Sequence, residues 1–93
     1  MRASRPIELG EAEINRGAAV LLYLLTWRKG FDNDQAVRSL RDAKLAVAVV
    51  VTTSKRPCVH EEVLKAFRDL AGHSAIWDST AEVWRARRKG DPA

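Results

Sequence analysis

Cysteine occurs once in the 93 residues, at Cys58, so no intramolecular disulfide can form and a disulfide-stapled secreted fold is excluded. A reducing, cytoplasmic compartment is the expected home. No long hydrophobic run occurs either. The most apolar stretch near the N-terminus, residues 18–27, falls well short of the ~20 residues that span a bilayer. It also lies behind Glu8, Glu11 and Glu13 with no small-residue cleavage site after it, which argues against a signal peptide. No internal repeat, P-loop, nucleophile elbow, dinucleotide-binding glycine pattern or His-Glu-x-x-His pair is present. The chain is therefore expected to be non-enzymatic, with no cofactor and no small-molecule substrate implied.

Glycine and proline are scarce, five and three in all, so few turns are announced and a single domain over 1–93 is expected, with loose ends at about 1–9 and 91–93. Soft ligands are equally few. Cys58, His60 and His73 could join Glu61 and Glu62 around a metal, but Cys58 and His60 are two apart and fall on different sides of a helix. No metal site is expected.

What is present is charge and helical periodicity. The net charge is +4, with 11 arginines to 5 lysines amid many alanines, as codon bias from a GC-rich genome would give. Net charge governs encounter and solubility, not fold. Gly10 can precede a helix with Glu11 and Glu13 in its first turn and Arg28 and Lys29 in its last, the order that complements the helix dipole; Gly30 then supplies a stop with Phe31 folding back. Asp32 with Gln35 three residues on makes a capping box for the next helix. Pro57 suits the first turn of a third helix, whose Val59, Val63, Ala66, Phe67 and Leu70 form one apolar face before Gly72 ends it. Ser79 and Glu82 make a second capping box for a last helix running to Gly90, anchored by Trp77 and Trp84; a hairpin there is the alternative.

The far end of the second helix is ambiguous. Residues 45–53 read LAVAVVVTT, which suits a buried strand by propensity, yet no Gly, Pro or Asn lies between Asp34 and Arg56 to turn the chain. Helical spacing also continues, with Ala36, Val37, Leu40, Ala43, Val47, Val50 and Val51 within roughly 100° of one surface. The expected fold is all-α, a three- or four-helix bundle with a long second helix; the alternative is α+β with a strand at 45–53.

This reading leaves an apolar surplus. On the first helix Ile14, Ala18, Leu21, Leu22 and Leu25 form one stripe, and Val20, Leu24 and Trp27 form another about 140° around the axis at ~100° per residue. Leu45, Val49 and Thr52 repeat the situation on the second helix. Large exposed apolar patches are unusual on monomers, so Val20, Leu24, Trp27, Leu45 and Val49 are expected to meet another chain, most simply in a homodimer. Leu24→Glu separates the cases: an interface residue yields a folded monomer, a core residue an unfolded chain. The second reading is a small nucleic-acid-binding regulator, in which Trp84, Arg85, Arg87, Arg88 and Lys89 of a basic C-terminal helix, extended by Arg38 and Arg41, offer cations beside an aromatic ring.

Overall fold

A computed structural model describes residues 9–51 and 56–91. It is a mixed α/β structure and not an all-α bundle. Helix α1 (Glu11–Arg28) leads into strand β1 (Gly30–Asp32) and helix α2 (Asn33–Asp42). A single-turn 3-10 helix (Ala46–Ala48) precedes a hairpin of β2 (Val49–Val51) and β3 (Pro57–Val59). Helix α3 (Glu61–Ala71) follows, then β4 (Ala75–Asp78) and β5 (Val83–Ala86). β5 is the central strand of an antiparallel sheet of order β1-β5-β4.

The long second helix is overturned at Lys44. Helix α2 starts where expected, on the reciprocal Asp32–Gln35 capping box. It ends at Asp42 because Lys44 turns left-handed (φ 63°), letting the Leu45 N–H donate to the Leu40 carbonyl (2.8 Å) and the Lys44 N–H to Arg41 (3.0 Å). This is a Schellman closure, with Leu45 and Leu40 as its buried hydrophobic pair. The position normally goes to glycine, so the sequence carried no warning.

Downstream the helical assignment of faces inverts. Leu45 and Ala48 enter the core, whereas Val47, Val50 and Val51, assigned to the core by helical spacing, are exposed. The strand alternative holds in part: β2 covers Val49–Val51 but begins four residues late and exposes two of its three residues, and Thr52 and Thr53 fall outside the described residues.

The Lys44 conformation predicts the sign of a substitution. In an exposed helix interior, glycine at this position would cost about 1 kcal/mol. At a left-handed position, where an L side chain is penalised by roughly 1–2 kcal/mol, it relieves strain. Lys44→Gly is thus expected to raise the urea midpoint; a lowered midpoint would restore the continuous helix.

The third and fourth helical expectations are corrected as well. Pro57 lies in β3, and α3 starts four residues later, with the His60 side chain accepting the Glu62 N–H at its N-terminus. Residues 79–82 turn between β4 and β5 and do not cap a helix. Asp78 Oδ1 accepts the N–H groups of Thr80 and Ala81, and Glu82 adopts φ 57°. Local hydrogen bonding by the aspartate thereby competes with the Ser79–Glu82 box.

The core sits between the helices and one face of the sheet. Phe31, Trp84 and Trp77 lie opposite one another across β1, β5 and β4 and form a row on that face. Phe67 of α3, wholly buried, meets Phe31 and Trp84 edge to face, at centroid distances of 5.4 Å in both cases. Helix α1 crosses α3 where Gly17 lets Val63 approach, since a Cβ at Gly17 would lie 2.8 Å from Val63 Cγ1. Strand β1, between the first two helices, pairs with β5, the second strand of the terminal hairpin, and the β2–β3 hairpin separates α2 from α3.

Candidate interaction surfaces

Among the described residues, two apolar surfaces and one basic one stand out after this packing. The first is the outer face of α1. Trp27 is 71% exposed and Tyr23, one turn earlier, is 60% exposed; their rings lean together at 6.0 Å. Val20, half-buried, continues the stripe at the i, i+3, i+7 spacing of a helix docking surface. Of the residues expected at an interface, the structure therefore leaves Trp27 open and Val20 partly so. Leu24 and Leu45, only 4% and 2% exposed, are covered by the chain's own core, and Val49 packs half-buried against it. Helix α1 packs against β1 and the 3-10 helix as well as against α2 and α3, so more of its circumference is covered than a helix-only packing allows. Tyr23 was missed by stripes built from aliphatic spacing, although its position four residues before Trp27 was the signal.

The second is a groove of roughly 500 Å³ where the sheet's aromatic row passes the end of its cover. Phe31, Trp84 and Trp77 line one side, and Ala36, Cys58 and Leu64 come from α2, β3 and α3. Along the row exposure rises from buried Phe31 to Trp77 at 48%. The Asn33 side-chain amide donates to the Pro57 carbonyl (2.9 Å), which ties the start of α2 to β3 and fixes the groove's width. Its volume suits an apolar side chain or small aromatic group. The thiol and imidazoles considered as metal ligands are dispersed: Cys58 lies in this groove, His60 caps α3 and His73 lies exposed in the turn before β4.

The basic C-terminal residues belong to β5 and the turn after it, not to a helix. Trp84 faces the core, and Arg85 projects from the opposite face. The Arg85 guanidinium donates in bidentate fashion to Asp91 (2.8 and 2.9 Å), and its Nε faces Asp78 Oδ2 at 3.4 Å. Arg87 Nε donates to the His73 carbonyl. Arg88 and Lys89 are exposed. Were α3 to enter a nucleic-acid groove, as a recognition helix does, it would bring Glu61, Glu62 and Asp69 with Lys65 and Arg68, a balance that opposes phosphate contact.

The Arg85 pair has a pH consequence. Hydrogen bonds from Arg85, then from the Arg88 N–H, hold the Asp91 carboxyl well below its ordinary range, and Asp91 in turn raises Arg85. A depressed carboxylate contributes stability above its unfolded value, about 3.9, and loses that contribution as pH falls through the folded one. Acidification from about pH 4 downward is expected to lower stability progressively, read as a falling urea midpoint, while the turn at 87–91 itself loosens only at the lower pH where the folded carboxyl protonates. In Asp91→Asn that step should vanish; an unchanged titration would assign the acid sensitivity elsewhere.

Together these features define a small α/β domain with an aromatic groove and an unpartnered face on α1. The chain belongs to a family of unknown function, DUF6953, whose family model matches residues 21–86, from within α1 to the last residue of β5. No curated protein and no solved structure matches the chain. Among the described residues no helix is long and apolar enough to cross a membrane.

Proposed function

We propose that this domain is a non-enzymatic protein–protein interaction module that self-associates by packing the outer faces of two α1 helices antiparallel. The reading rests on the Tyr23–Trp27 pair, two large aromatic residues side by side in water on a helix whose other large apolar residues are buried or half-buried. Trp and Tyr are the residues that most often anchor interfaces, because they bury much area with few rotors to freeze. Charge supports the antiparallel sense. Glu11 and Glu13 occupy the first turn of α1 and Arg28 the last, so each acidic turn meets the partner's basic one.

The aromatic groove gives the same module a place for an apolar side chain of a further protein. A cytoplasmic location belongs to this reading, consistent with a lone thiol at Cys58. Sedimentation at micromolar concentration is expected to return twice the chain mass. A monomer mass from a protein that binds no hydrophobic dye would overturn the proposal.

A further inference from the structure

The outer face of the sheet carries a second concentration of chemistry, independent of α1. Arg85 rises there between Gly30 and Ile76, its cross-strand neighbours. Gly30 is required at this point, because a Cβ would lie 2.7 Å from the Trp84 carbonyl oxygen and 3.3 Å from Arg85 Cβ. The strands thus close tightly around the base of the arginine.

Three donors converge on the Asp91 carboxylate: Arg85 Nη1 at 2.8 Å, Arg85 Nη2 at 2.9 Å and the Arg88 backbone N–H at 2.6 Å. Gly90, at φ 97°, makes the turn that brings Asp91 back over the sheet. The pair is well sheltered, with side chains 19% and 14% exposed. Beside it lies a concavity of roughly 420 Å³ lined by Lys29, Arg85, Arg87 and Arg88.

A guanidinium fork with an added backbone amide is the arrangement that holds a phosphate as readily as a carboxylate. The charge count favours the phosphate. Lys29, Arg85 and the Arg88 side chain bring three cations to the concavity, against the carboxylates of Asp91 and Asp78 that Arg85 contacts. A phosphate monoester carries about −1.5 to −2 near neutrality. We propose that Arg85, the Arg88 amide and the flanking Lys29 and Arg88 side chains form an oxyanion site for a phosphate group, which Asp91 occupies as an internal stand-in.

The experiment titrates inorganic phosphate at fixed ionic strength into the wild type, Asp91→Asn and Asp91→Ala, following the Arg88 amide and Arg85 Nε resonances. Both variants should bind saturably, at least about tenfold more tightly than the wild type, in keeping with removal of a competing charge-assisted contact. Adding Arg85→Gln should abolish binding. Adding Lys29→Ala with Arg88→Ala, which leaves the fork intact, should weaken it.

Absence of saturable binding at millimolar phosphate in both folded variants would overturn the site, as would binding that persists without Arg85. Should either variant fail to fold, phosphate against chloride on the wild type decides, the proposal requiring Arg88 amide shifts specific to phosphate. Parallel titrations with short duplex DNA separate the sources of the group. Duplex binding that competes with phosphate, needs Arg85 and falls steeply with salt points to a nucleic-acid backbone; phosphate binding without duplex binding points to a small phosphorylated ligand. Duplex binding indifferent to Arg85 would count against the site.

Discussion

Phe67→Ala is expected to lower stability by about 3–5 kcal/mol, the range for emptying a fully buried aromatic position. Phe67 is the contact through which α3 holds the sheet, since its ring is set edge to face against both Phe31 on β1 and Trp84 on β5. Its loss removes transfer free energy, leaves a cavity and breaks two aromatic pairs worth roughly 0.5–1.5 kcal/mol each beyond their area. Against a total of about 5–15 kcal/mol for a domain, the variant stands near the edge of folding. Urea denaturation with an unchanged slope reads the loss directly. A deficit below about 1 kcal/mol would mean that the sheet is not seated on α3. Phe67→Leu, which keeps most of the volume, should retain much of what alanine loses.

The second large effect lies on α1, where neighbouring positions should respond in opposite ways. Leu24→Glu places a carboxylate among Leu21, Leu25 and the rest of the core, at a site 4% exposed. An unpaired buried charge costs several kcal/mol, so this chain is expected to be unfolded. Trp27→Glu changes a side chain that touches mainly water and Tyr23, so the monomer should keep its melting temperature within a degree or two. Dimerisation should be lost, because the antiparallel packing would replace a large apolar anchor by a carboxylate set against the partner's acidic first turn. A Trp27→Glu protein that remains dimeric would remove α1 as the contact. A folded Leu24→Glu protein would show that the helix is oriented differently from the arrangement described above.

Much of the helical framework is legible in the sequence. The charge order of α1, the Asp32–Gln35 capping box and the Val63 and Phe67 face of α3 each rest on local chemistry that the tertiary structure leaves in force. The sheet is where the reading fails, and one physical cause recurs. The chain turns left-handed at Lys29, Lys44 and Glu82, none of them glycine. Two of these turns, at Lys44 and Glu82, separate a helix or strand from what would otherwise read as continuous helix. A residue in that conformation is held there by its surroundings, by the buried Leu40–Leu45 contact in one case and the Asp78 turn with the cross-strand Trp77–Trp84 pair in the other.

The candidate site follows the same pattern. Trp27 stood out by spacing because it lies on a regular helix. The covering of Leu24 and Leu45, and the pairing of Arg85 with Asp78 and Asp91, depend on strands that the sequence offered only as alternatives to helix or, for β1, not at all. Arginines in a basic run look alike until their partners are placed. Here Arg85 is the most firmly held of them, although its neighbours in sequence, Arg88 and Lys89, are exposed.

The position of β5 sets the order in which the molecule can assemble. It is the last of the described strands and the middle strand of the sheet, so β1 and β4 have no hydrogen-bonding partner in that sheet until it arrives. Helices α1 and α3 can meet earlier through Gly17 and Val63, but Phe31 and Phe67 wait for Trp84 to complete their cluster. During synthesis the nascent domain would pass through a stage with two open strand edges and an uncovered Phe67, closing only after residue 86 has emerged. Because the closing pairs join distant parts of the chain, that final step should limit the folding rate, and any chain cut before β5 should persist as a collapsed, aggregation-prone intermediate.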